Sequence, residues 1–150
     1  MPQSLSNILL HIVFSTKNRR DFISSSIEKE LHAYMAKIFQ NESCPALIIG
    51  GTTNHIHSLC RLDRTMTVAD LVQKVKQGSS KWIKTKGDEF TSFSWQAGYG
   101  AFSIGASNVD QLLSYIRNQK KHHQKISFKD EYRAFLKKYN VEYDEKYVWD

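Results

Sequence analysis

Residues 7–16, NILLHIVFST, constrain the fold more than any other segment of the chain. Read as a strand, it places Ile8, Leu10, Ile12 and Phe14 on one face and Leu9, His11 and Val13 on the other. A strand that is apolar on both faces must be covered on both sides, so it belongs at the centre of a sheet. The rest of the chain therefore has to supply neighbouring strands and layers packed against them.

The following segments supply both. A basic turn, Lys17, Arg19 and Arg20, leads into a helix predicted over residues 24–40. There Ile27, Leu31, Tyr34, Met35 and Ile38 recur at helical spacing, and Ser25 or Ser26 serves as cap. Residues 46–49 and 55–62 form two strands of a hairpin joined by a Gly/Thr/Asn-rich turn. Thr67 and Asp70 open a second helix through Val68, Leu71, Val72 and Val75, with Gly78 as a point of interruption or kinking before Trp82 and Ile83. A loosely alternating strand with a bulge at Gly98 and Gly100 is predicted over residues 93–104. Asn108 caps a third helix carrying Val109, Leu112, Leu113 and Ile116. Ser127 and Asp130 open a last one carrying Phe128, Tyr132, Phe135, Leu136 and Tyr139. The tail, with Tyr143, Tyr147 and Trp149, is aromatic enough to dock on its own body or on a second subunit.

The order β-α-β-β-α-β followed by two helices predicts an α+β fold. It is a ferredoxin-like, RRM-like split βαβ sandwich with an antiparallel sheet, helices on one face and room for a further helix across the other. At 150 residues, one domain over 1–150 accounts for the whole length. The net charge of +6 favours a polyanionic partner. No apolar run approaches the roughly 20 residues of a membrane-spanning helix. The N-terminus lacks the pattern of a secretory signal, and Cys44 and Cys60 read as two thiols in a reducing compartment, so the expected location is cytoplasmic.

His55-Ile56-His57 carries the chemistry. On a strand both imidazoles share one face while Ile56 points into the core, and two adjacent imidazoles can chelate one divalent cation. Alone, the pattern fits hydrogen-bonded histidines on a sheet better than a metal site. The third helix adds a second signal: Gln111, Tyr115, Gln119 and His122 form a polar stripe beside its apolar one. A Gln carbonyl could complete a site begun by the two histidines, and a Tyr hydroxyl one turn away could attack a phosphate. His11 reads as a buried histidine or a support for those ligands. Lys17, Arg19 and Arg20, and Arg117, Lys120, Lys121 and Lys125 beside the Tyr115 helix, could grip phosphates. Trp82, Trp95 and Tyr99 could stack bases, although core packing suits most of them better.

These residues resemble those of a known family. Ile12 to Arg20, Gly50-Gly51, Asn54 to Leu59, Trp95 to Gly100, Tyr115 to Gln119 with His122-His123, and the ending from Glu142 to Trp149 are similar to the single-tyrosine HUH transposases of short bacterial insertion sequences, including REP-associated tyrosine transposases. The resemblance implies a metal-dependent transposase that cuts and rejoins single-stranded DNA at hairpins. It implies Tyr115 as nucleophile forming a 5′-phosphotyrosine, and His55, His57 and Gln119 as ligands of Mg²⁺ or Mn²⁺. It further implies a homodimer with shared active sites. Two alternatives stand beside it: a non-mobile relative that binds and nicks repetitive palindromes, and a nucleic-acid-binding module without cutting activity.

Overall fold

The computed structural model describes residues 1–150. Four strands, β1 (Ile8–Ser15), β2 (Ala46–Gly51), β3 (His55–Leu62) and β4 (Gly100–Ile104), form one antiparallel sheet in the order β2-β3-β1-β4. The doubly apolar strand is internal, between β3 and β4, and both its faces are covered. Leu10, Ile12 and Phe14 pack with Ile56 and Cys60 against helices α1 (Glu28–Asn41) and α2 (Val68–Ile83). On the opposite face Leu9 and Leu59 meet Leu112 and Ile116 of α3 (Val109–Arg117). Val13 and Phe102 on that same face meet Phe128, Tyr132 and Leu136 of α5 (Phe128–Lys138). The split βαβ arrangement is thus closed on its second face by the two C-terminal helices. No helix is long and apolar enough to cross a membrane.

Several local expectations change. Of the strand expected over 93–104, only Gly100–Ile104 joins the ladder, and Trp95 keeps a single bridge to Thr16. The Lys76 ammonium takes up the intervening carbonyls, donating to the Gln96 oxygen at 2.8 Å and the Gly98 oxygen at 2.6 Å. Gly78 does not break α2; its missing Cβ makes room for the Ile38 side chain where the two helices touch. Helix α1 begins at Glu28 without a side-chain cap, and Asn108 makes no capping bond, whereas Thr67 and Ser127 cap as expected. The third helix is not continuous: it ends at Arg117, Asn118 turns out of helical geometry, and a short turn α4 (Gln119–His122) follows.

The contact between the hairpin and α3 sets the height of the Tyr115 helix above the sheet. A Cβ at Gly50 would lie 2.7 Å from Ile116 Cγ2 and 2.8 Å from its carbonyl oxygen. Gly50→Ala should therefore push α3 outward and destabilise the fold by about 1–3 kcal/mol in urea unfolding. Unchanged stability would mean that α3 is free to shift.

The aromatic tail docks on its own chain. Gly98 N donates to the Asp150 carbonyl at 2.9 Å, and Arg19 Nη1 to the Trp149 carbonyl at 3.0 Å. The Trp149 ring lies edge-on to Tyr132 and beneath the cations of Arg133 and Lys129.

Candidate active site

The site lies where α3, α4 and α5 close over β3. Alternation along β3 sends His55 and His57 to the helix-covered face, while Ile56 enters the main core. Both imidazoles are fully buried. His11 joins them from the same face of β1, its Nε2 lying 2.8 Å from His57 Nδ1. From α3 comes Tyr115, and after the break at Asn118 the next turn swings Gln119 inward, 1% exposed. All four residues expected at the site thus meet within one chain: Gln119 Oε1 is 2.9 Å from His55 Nε2, and the Tyr115 and His57 rings stand 5.9 Å apart between centroids.

Glu131 of α5 stands at their centre. It is 2% exposed and accepts from His57 Nε2 at 2.9 Å, from Gln119 Nε2 at 3.1 Å and from the Tyr115 hydroxyl. His123 and His122 approach the oxygen that Gln119 and Tyr115 share, Oε2, at 3.2 and 3.4 Å, while His57 holds Oε1. One donor atom from each of His55, His57, His123 and Glu131 lies within 4.8 Å of the other three.

The histidines are braced from behind. His55 Nδ1 faces Asn54 Oδ1 at 2.8 Å and Thr52 Oγ1 at 3.0 Å, His57 Nδ1 faces His11, and His123 Nδ1 donates to the Ile126 carbonyl at 2.8 Å. Outward-held Nδ1 atoms with inward Nε2 atoms are the arrangement that orients imidazoles as metal ligands. The donor set fits a divalent cation.

Burial governs the charges. It pushes the pKa values of His55 and His11 down to about 3, with His57 adding to the effect. Burial also raises the Tyr115 phenol well above its usual 10, helped by the charge and hydrogen bond of Glu131. For Glu131 burial acts upward, but contacts with His123, His57 and Tyr115 outweigh it and hold the carboxyl well below its ordinary range. Burial thus keeps His55 and His11 neutral beside an ionised Glu131, with the Tyr115 phenol protonated.

These shifts make an acid-labile fold. His55 and His11 stay neutral when folded and gain a proton on unfolding below their ordinary 6.5. Their contribution is complete above pH 6.5 and is lost as the pH falls toward 3, because the unfolded chain then binds more protons. At pH 5 each costs about 2 kcal/mol. In EDTA the melting temperature should accordingly drop by about 10 °C between pH 7.5 and pH 5. An unchanged value would show that these imidazoles are not held neutral.

The sequence matches the family model described as "Transposase IS200 like" over residues 4–119. The chain belongs to the IS200-like transposases. The match includes His55, His57, Tyr115 and Gln119; His122, His123 and Glu131 lie beyond it. No curated protein sequence matches this transposase significantly. Two solved structures share its fold. One, provisionally described as a transposase from Deinococcus radiodurans R1, superposes with a TM-score of 0.62 at 16% identity over 79% of this chain and 98% of that one. The other is a REP-associated tyrosine transposase bound to a REP hairpin, with a TM-score of 0.61 at 12% identity over 84% of this chain and 74% of that one.

The transposase's basic residues fall into two groups. Lys17, Arg19 and Arg20 lie just past the end of β1 that pairs with His55, and Lys17 and Arg20 border a hollow of about 280 Å³ with Phe22, Ser92 and Ser94. Lys17 and Arg20 are exposed, whereas Arg19 is tied to Trp149. Arg117, Lys120 and Lys121 are exposed at the α3–α4 junction. There Lys121 and Lys125 flank a hollow of about 480 Å³ that reaches His122, and Lys120 pairs with Glu28 at 2.7 Å. Trp95 is buried, donating to Ser79 Oγ at 3.0 Å, so it packs the core as expected for most of the aromatics.

Sequence reasoning missed Glu131. Its signal was present: it falls in the inner stripe of α5 with Phe128, Tyr132 and Phe135, where a carboxylate without partners would be costly.

Proposed function

We propose that this transposase cuts and rejoins single-stranded DNA at hairpins, using Tyr115 as nucleophile and a divalent cation, Mg²⁺ or Mn²⁺, held by His55 and His57 with Gln119 beside them. The observation that carries the reading is the meeting, within one chain, of a half-buried phenol with two buried, braced imidazoles. Family membership supplies the class of reaction. The hairpin in the structurally similar REP-associated enzyme supports the class of substrate.

The bound cation would withdraw charge from the scissile phosphate and lower the cost of ionising a nearby hydroxyl. The rest falls to the chain's own residues. Tyr115 Oη loses its proton and forms a bond to phosphorus as the P–O3′ bond breaks and the departing 3′ oxygen takes up a proton, leaving a 5′-phosphotyrosine and a strand ending in a 3′-hydroxyl. The phosphoester is conserved in the protein link, so attack by a new 3′-hydroxyl releases Tyr115 and joins strands without ATP. Glu131 accepts the phenol's hydrogen bond and so fixes its position, and Gln119 donates to the same carboxylate oxygen. Lys17 and Arg20 on one side and Arg117, Lys120 and Lys121 on the other would hold the backbone phosphates. A homodimer with shared active sites stays part of this reading; within one chain Tyr115 already stands beside the histidines.

The test is a covalent adduct. Protein incubated with single-stranded DNA from its own flanking sequence and Mg²⁺ or Mn²⁺ should yield a DNA–protein species that survives denaturation and disappears with EDTA. Hairpin binding without any adduct would favour the non-cutting alternative.

A further inference from the structure

His123 is the point of departure. Its Nδ1 donates to the Ile126 carbonyl at 2.8 Å, which turns Nε2 toward the other three groups. That Nε2 is buried without a hydrogen-bond partner and lies 3.2 Å from a Glu131 oxygen, out of line for a hydrogen bond. A buried ring nitrogen left without a hydrogen-bond partner beside a buried carboxylate is costly, and an ion held between the two would use both. Both atoms belong to the group whose other members are His55 and His57. Gln119, in contrast, spends its amide on neighbours, with its oxygen against His55 and its nitrogen donating to Glu131.

We propose that His123 and Glu131 complete the cation site with His55 and His57. The result is a site of three imidazoles and one carboxylate that takes a first-row transition ion of the Mn²⁺ class in preference to Mg²⁺, with Gln119 orienting the Glu131 carboxylate. This rests on the reading above that the site holds a divalent cation. The preference follows from the donors. Mg²⁺ favours oxygen ligands and keeps much of its water, whereas three imidazoles suit a transition ion. Glu131 cancels part of the ion's charge, so the cation is bound more tightly than by neutral ligands alone. It also links α5 to the end of α4 and to β3, so loading should stiffen the C-terminal third of the molecule.

Mn²⁺ binding to the full-length protein without DNA, followed by electron paramagnetic resonance, tests this. Wild type should bind one Mn²⁺ per chain, not displaced by a 100-fold excess of Mg²⁺, and should melt at a higher temperature when loaded. Glu131→Gln and His123→Asn should each weaken Mn²⁺ binding about 10-fold or more, and Gln119→Ala should weaken it less than either. Wild-type affinity in both of the first two variants, or displacement of Mn²⁺ by an equal amount of Mg²⁺, overturns the proposal. Should Glu131→Gln unfold, His123→Asn decides alone, since His123 lies at the edge of the cluster with 11% of its side chain exposed. The adduct assay is independent: a Tyr115-dependent adduct formed alongside wild-type Mn²⁺ binding in the variants would sink this inference and leave the proposed function standing.

Discussion

Tyr115→Phe should eliminate the covalent DNA–protein adduct and lower strand cleavage about 10⁴-fold or more, the scale on which removal of a nucleophile acts. The substitution deletes one oxygen and keeps the ring, which stays edge-on to His57 and Phe135. What is lost chemically is the atom that would bond to phosphorus. What is lost structurally is one donor to Glu131, which still receives bonds from His57 and Gln119. The stability cost should therefore be about 1–2 kcal/mol. Hairpin affinity should be unchanged, because the proposed phosphate contacts come from residues such as Lys17, Arg20, Arg117 and Lys121 and not from the phenol. Gel-shift binding beside denaturing electrophoresis separates the two effects. If the Phe variant still forms the adduct, the nucleophile lies elsewhere and the reading fails.

The parts of this molecule that could be read from the chain are those fixed by short-range periodicity. Two-residue alternation places both histidines of His55-Ile56-His57 on one face whatever the rest of the fold does, and the doubly apolar first strand demands a central position. The polar stripe survived even though its helix did not. Asn118 breaks the run, yet Tyr115 and Gln119 still converge, because the next turn carries Gln119 inward. What escaped reading depends on partners distant in sequence. The strand before Gly100 fails because a lysine 20 residues upstream claims the Gln96 carbonyl. Glu131 is one of only two acids on its helix, and its neighbour Asp130 faces solvent, so the pair reads as an ordinary charged first turn. The role of Glu131 exists only once β3, α3 and α4 surround it, which no local pattern encodes.

His57→Ala should likewise abolish the adduct, but for a different reason and with a different signature. His57 is held on both sides: His11 behind it and Glu131 in front. Truncation removes one proposed cation donor, leaves His11 Nε2 without its partner and takes a hydrogen bond from a buried carboxylate. The fold should lose about 3 kcal/mol or more. Raising Mn²⁺ to millimolar levels should not restore activity, since no remaining side chain occupies that donor position. His11→Ala provides the contrast. It leaves every proposed ligand in place and removes only the group that fixes the His57 ring, so cation affinity should fall about 10- to 100-fold. Excess Mn²⁺ should then recover the adduct. Rescue of His57→Ala to the same extent as His11→Ala would mean that His57 supports the site from behind instead of holding the ion, and the cation would have to be reassigned to His55, His123 and Glu131.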